Sequence, residues 1–207
     1  MDGDGVTTAD YIYNILISPE ETTLVIIDHQ PAFSSCFERQ DIDRAEDAAV
    51  SLIKAAKSLG IPTIISMVET NVIEGSISLK LHRAIGDAAI LPRTGFNPWE
   101  NRAFTEAVSQ ANRPRLLIAG LSAETSLSLT ALCALEIGYD TYVVKDACLG
   151  QTRESYDMSF ERLTQAGVVP VSWRQILIEW ERGPVEASLL RRFSRSRKPG
   201  HKPSVKE

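Results

Sequence analysis

Six short apolar, β-branched runs separated by segments of helical periodicity constrain this chain more than any other feature. Residues 23–28 (TLVIID), 61–67, 88–91, 116–120, 141–145 and 168–172 read as strands. Runs of this kind suit a parallel sheet covered on both faces, where both sides of every strand are buried. Between them, residues 43–59 carry apolar positions at helical spacing and stop at Gly60. Residues 76–85 form a short helix, and residues 97–111 form a helix with Asn97 as N-cap and Pro98 in the first turn. Helices over 126–137 and 152–166 stop at Gly138 and Gly167, and a last helix spans 173–181. Alternation of this kind means βαβ units with right-handed crossovers. The expected fold is a three-layer α/β/α domain with a six-stranded, mainly parallel, doubly wound sheet in the order 3-2-1-4-5-6.

At 207 residues and 43% hydrophobic composition, the chain can bury one good core. The expected organisation is an N-terminal extension over 1–20, one domain over 21–183 and a basic tail over 184–207. The tail, ending RRFSRSRKPGHKPSVKE, reads as solvated and disordered, with docking to an acidic surface as the sharper alternative. A formal net charge of −5 gives no reason to expect nucleic acid or an anionic membrane as partner. No apolar run approaches the roughly 20 residues of a membrane helix. The acidic first residues lack the basic region of a secretory signal, and Cys36, Cys133 and Cys148 lack metal-ligand spacing. A reducing cytoplasm is the expected location. There is no glycine-rich dinucleotide fingerprint after a strand and no phosphate loop, and no cofactor is expected.

Three polar residues fall where such a sheet gathers ligands. Asp28 ends the first strand, Arg93 follows the weak third strand, and Ser126 follows the fourth strand at the expected start of a helix. Strands one and four flank the topological switch point, so Asp28 and Ser126 are expected to face each other across the crevice. A helix N-terminus there stabilises negative charge. Arg93 has a surface alternative, pairing with Glu69 or Glu100. Phe33, Phe96 and Trp99 are candidate pocket walls or core residues, Gln30 a contact to substrate or loop backbone, and Thr125 a residue that shapes the site. Cys36 and Cys148 lie at the same edge, with packing as the plainer reading; Cys133 sits inside a helix and reads as packing. His29 follows Asp28 and is expected on the opposite face of the strand.

These residues resemble the isochorismatase-like cysteine hydrolases. The similarity is carried by Ile-Ile-Asp28-His29-Gln30, Arg93-Thr-Gly-Phe-Asn97-Pro-Trp99-Glu, and Ile-Ala-Gly120-Leu-Ser-Ala-Glu124-Thr-Ser126. Ala-Leu-Glu-Ile-Gly138-Tyr-Asp, Val-Val-Lys-Asp146-Ala and Gln165-Ala-Gly-Val-Val-Pro170-Val-Ser-Trp173 continue it. It runs over about 21–182 and leans to the metal-independent branch, because Glu69-Thr-Asn71 stands where nicotinamidases carry metal ligands. The resemblance implies an Asp–Lys–Cys triad cleaving an amide, imide or nitrile-like carbon, with no metal or cofactor, in a homo-oligomer acting on a small molecule. Asp28 matches the aspartate. The lysine position falls at Arg93, or at Pro92 if the spacing to Trp99 is kept. Ser126 matches the cysteine. The resemblance also implies an oxyanion hole from the N–H groups of Ser122 and Ser126, and often a cis peptide between Leu121 and Ser122.

Arginine keeps the positive charge but not the compact ammonium. Serine for cysteine is the graver departure, because an alcohol is far less acidic than a thiol and normally needs a well-placed base. Two readings of Ser126 stay open: a replacement of a catalytic cysteine by its oxygen isostere, or a native serine. Three functions follow. The first is C–N hydrolysis with Asp28 as base and position 126 as nucleophile. The second is vinyl-ether hydrolysis with Asp28 as general acid. The third is ligand binding without catalysis.

Overall fold

The computed structural model describes residues 15–34 and 37–182. Most of the expected N-terminal extension, Cys36, residue 183 and the basic tail over 184–207 lie outside the described residues.

The strands are β1 (Thr22–Ile27), β2 (Thr63–Val68), β3 (Ile90–Arg93), β4 (Arg115–Gly120), β5 (Asp140–Val144) and β6 (Val169–Val171). They form one sheet in the order β3-β2-β1-β4-β5-β6, and every neighbouring pair is parallel. The central strands β1 and β4 are buried along their whole length, as their apolar, β-branched sequences require. The edge strands β3 and β6 carry Pro92 and Pro170, which interior strands would not tolerate.

The helices are α1 (Pro31–Ser34), α2 (Arg39–Leu59), α3 (Leu79–Ile85), α4 (Arg102–Ala111), α5 (Ser128–Ile137), α6 (Arg153–Ala166) and α7 (Trp173–Trp180). Two apolar clusters sandwich the sheet. One joins Leu24 and Ile26 to α2, α3 and α7; the other joins Val25 and Ile27 to α4, α5 and α6. Alternate β1 side chains therefore serve opposite layers. The stretch before β1 is held to the domain: Ile17 is buried, its N–H donates to Glu179 Oε2 at 2.7 Å, and Arg115 Nη1 donates to the Leu16 carbonyl at 2.8 Å.

Three boundaries differ from expectation. The third strand lies at 90–93, so Arg93 is its last residue and not a loop residue after it. The expected helix over 97–111 is two elements. Asn97 caps a 3₁₀ turn over Pro98–Glu100, and Asn101 then caps α4 by accepting from the Phe104 N–H at 3.1 Å. The helix expected from Ser126 begins at Ser128, preceded by a π-helical turn over Ala123–Leu127. Gly120 sets up that turn: a Cβ there would lie 2.6 Å from the Ile27 carbonyl oxygen, so only glycine lets the ends of β1 and β4 approach this closely.

Candidate active site

Asp28 is the first residue beyond β1. Its backbone has φ 52°, a left-handed conformation that aspartate tolerates better than most residues. Its N–H still pairs with the Ser66 carbonyl at 3.0 Å. The carboxylate is tightly held. Oδ1 accepts from the Val68 N–H at 3.1 Å and from Arg93 Nη1 at 2.9 Å, while Oδ2 accepts from Arg93 Nη2 at 2.6 Å. Arg93 reaches Asp28 across the end of β2, with which β3 pairs in register Val68↔Arg93. Both side chains are 1% exposed. This is a bidentate, desolvated ion pair, a geometry that arginine forms and lysine cannot. The surface alternatives with Glu69 or Glu100 are not adopted.

Arg93 also supplies the link to Ser126. Nη2 donates to Ser126 Oγ at 3.0 Å and, more weakly, to the Phe96 carbonyl at 3.5 Å; Nη1 donates to Ser66 Oγ at 3.2 Å. Asp28 and Ser126, expected to face each other, thus share one nitrogen as hydrogen-bond partner. The two short distances cap the separation of their oxygens within reach of a single bridging water. Ser126 is fully buried and lies inside the π turn, where Thr125 departs from helical geometry with φ −119° and ψ −108°. Single π turns recur at functional sites because they re-aim one side chain without breaking the helix. Ser122 enters the turn at φ 59°. The Leu121–Ser122 peptide is trans, in contrast to the cis form implied by the resemblance, and Ser122's left-handed backbone makes the bend.

The other expected residues are placed variously. Gln30 is buried, and its amide clamps backbone: Nε2 donates to the Val68 and Glu74 carbonyls at 2.9 and 3.1 Å, and Oε1 accepts from the Val68 N–H at 2.9 Å. Trp99 is half-buried and packs against the core, with Nε1 on the Thr130 carbonyl at 2.9 Å and its ring against Phe104 and Tyr139. Phe33 and Thr125 are half-buried and Phe96 is 48% exposed. Ser66 has no counterpart among the expected site residues; its only signal is a serine inside the otherwise apolar, β-branched run TIISMV. Because β1 has ended at Ile27, strand alternation does not fix the direction of His29. Its ring is buried with neither nitrogen bonded, and burial depresses its pKa to about 4.

A cleft of about 1220 Å³ lies elsewhere, between the first half of α2, the loop after β5 and the start of α7. Cys148 and Gln151 line it, whereas Asp28, Arg93 and Ser126 do not. The loop and the π turn are joined, because the Ala123 N–H donates to the Leu149 carbonyl at 2.7 Å and Glu124 Oε1 accepts from the Gln151 N–H at 2.8 Å. Among the described residues no three His, Cys, Asp or Glu side chains converge to hold a metal ion, and no helix is long and apolar enough to cross a membrane.

Known proteins share this arrangement of strands. The probable hydrolase YcaC of Escherichia coli is 27% identical over 169 residues, covering 81% of each chain. The E. coli YcaC structure, described as an octameric hydrolase of unknown specificity, is 26% identical with a TM-score of 0.76, covering 82% of this chain and 83% of that one. A Pseudomonas aeruginosa YcaC structure with hexane-2,5-diol and covalent acrylamide is 25% identical with a TM-score of 0.75, covering 82% and 84%. The isochorismatase domain model matches residues 22–175, so the chain belongs to the isochorismatase-like hydrolase superfamily.

Proposed function

We propose that this protein hydrolyses a C–N bond of a small molecule, with Ser126 as nucleophile and Asp28 as base. The observation that carries the reading is the shared donor: Arg93 Nη2 bonds both Asp28 Oδ2 and Ser126 Oγ. Because Oγ accepts from the guanidinium, its own proton points elsewhere, and the growing charge on oxygen has a cation beside it. Three of the four lone-pair directions of Asp28 are taken by Val68 and Arg93, leaving one to receive the proton. Oγ then bonds to the carbonyl carbon, the N–H groups of Ser122 and Ser126 take the oxyanion, and the proton held by Asp28 passes to the leaving nitrogen. Water resolves the acyl-enzyme by the same route. The same contacts weigh against Asp28 as a general acid, since both its oxygens already accept from a cation. YcaC supports a homo-oligomer as the working form.

The test is hydrolysis of a panel of small amides and imides by the Ser126 protein and by Ser126→Cys. A thiol in this position is the better nucleophile, and the variant should turn over at least about tenfold faster, with loss of activity on Asp28→Asn. Cleavage unaffected by Asp28→Asn, or no cleavage by either form, would refute the reading.

A further inference from the structure

We infer that the outer face of α5 seats a second copy of this chain, on the side of the site where Arg93 bonds to the Phe96 carbonyl. The inference rests on the homo-oligomer of the preceding reading and goes beyond it by naming the face. Its basis is a helix that is apolar all round yet covered on one side only.

α5 reads Ser-Leu-Thr-Ala-Leu-Cys-Ala-Leu-Glu-Ile, with Glu136 its one charged residue. Ser128, Thr130, Ala131 and Ala134 turn inward and are buried. Leu129, Leu132, Cys133, Glu136 and Ile137 recur at i, i+3, i+4, i+7 and i+8, and so share the opposite face. Leu129 is 39% and Ile137 57% exposed, while Leu132 and Cys133 are half-buried. A surface helix normally turns charge outward. The neighbouring α6 does so with Arg153, Glu154, Asp157, Glu161 and Arg162, all exposed. A helix with almost no polar face belongs in an interior.

The apolar surface continues toward the site. Asn97 Nδ2 lies 3.6 Å from Cys133 Sγ, and Phe96, next to Asn97, is 48% exposed. A partner seated on α5 therefore borders the loop whose Phe96 carbonyl accepts from Arg93. Aliphatic and aromatic side chains of this kind make the desolvated centre of a protein interface. Another copy fits the face better than this chain's own ends. Ile17 and Trp180, close to the two ends of the described residues, both belong to the apolar cluster on the other side of the sheet. The sequence from Arg191 to Lys206 is dominated by Arg, Lys and Ser, which do not match an apolar face.

The test is sedimentation velocity on the full-length protein, paired with maleimide labelling of Cys133 read by peptide mass. The protein should sediment as a dimer or larger. Leu129→Glu and Ile137→Lys should each weaken assembly at least about thirtyfold, as loss of a hot spot does. Both should also speed the labelling of Cys133. Cys148, buried inside the subunit, reports folding in the same digest, because only an unfolded variant exposes it. Leu129→Gln and Ile137→Gln serve where a charge unfolds the chain. With no substitution at all, Cys133 should label faster as the assembly is diluted through its dissociation. A monomeric protein refutes the homo-oligomer and the face together. An assembly that keeps its mass in the folded variants, or Cys133 labelled at one rate on both sides of the dissociation, refutes the face alone. Neither measurement uses turnover, so the hydrolytic reading stands or fails on its own panel of amides.

Discussion

The carboxyl ends of the neighbouring strands β4 and β5 each deliver a buried side chain capable of nucleophilic chemistry, and the two differ in what surrounds them. After β4, Ser126 Oγ stands 3.0 Å from the guanidinium of Arg93, on a π turn re-aimed by Thr125. After β5, Cys148 donates its thiol to the Val144 carbonyl at 3.1 Å, and burial pushes its pKa up to about 12. The nearest lysine in sequence, Lys145, lies over the rings of Tyr156 and Phe160 at 5.4 and 4.9 Å. The intrinsically better nucleophile is thus locked as a neutral thiol, while the poorer one has the cation. At this edge the two side chains differ in their position relative to a charge, and that position governs nucleophilicity as much as the identity of the atom does.

The largest test removes the base. On a Ser126→Cys background, Asp28→Asn should lower kcat/KM by about 10²–10⁴-fold, the usual worth of a positioned acid–base group. Cys148→Ala on the same background should change it less than about twofold, because that thiol is held neutral against the Val144 carbonyl. Equal losses from both would break the comparison. Next, Arg93→Met should cost about 3–5 kcal/mol in urea denaturation, because it leaves a buried carboxylate unpaired. Lys145→Met should cost no more than about 1 kcal/mol, the worth of an exposed cation–π contact.

The desolvation that silences Cys148 also acts on His29, and pH can isolate it. Its folded pKa of about 4 lies below the unfolded value of 6.5, so the unfolded chain binds the extra proton between those values. Stability should therefore fall as pH drops from 6.5 to 4, by up to about 3 kcal/mol, and the histidine contribution should level off below that. His29→Leu should flatten this limb in pH-dependent thermal melts; an unchanged slope would show that the ring is not desolvated. Cys148→Ala should lower stability by about 1–2 kcal/mol, from a small cavity.

Much of the frame was legible in the residues. The apolar runs of β1 and β4 and the left-handed stops at Gly60, Gly138 and Gly167 fixed elements and layers, because burial and backbone sterics act over a few residues. Arg93 was misplaced into a loop, since Pro92-Arg93 does not read as strand, yet an edge strand tolerates the proline and Asp28 neutralises the arginine. The π turn was invisible because Ser-Ala-Glu-Thr-Ser carries no local signal separating it from an ordinary helix start. Gln30 reads in sequence as a contact to either substrate or loop backbone, and in the fold its amide makes three bonds to the backbone of Val68 and Glu74, partners 38 and 44 residues away that no local pattern names.

The sequence by itself determined a parallel, doubly wound sheet and the edge at which its polar residues gather, because periodicity and turn chemistry are local properties of the chain. Only the tertiary structure decided that one guanidinium joins Asp28 to Ser126. Those contacts bridge 65 and 33 residues of chain and depend on β3 lining up with β2 in one register, which no local pattern encodes.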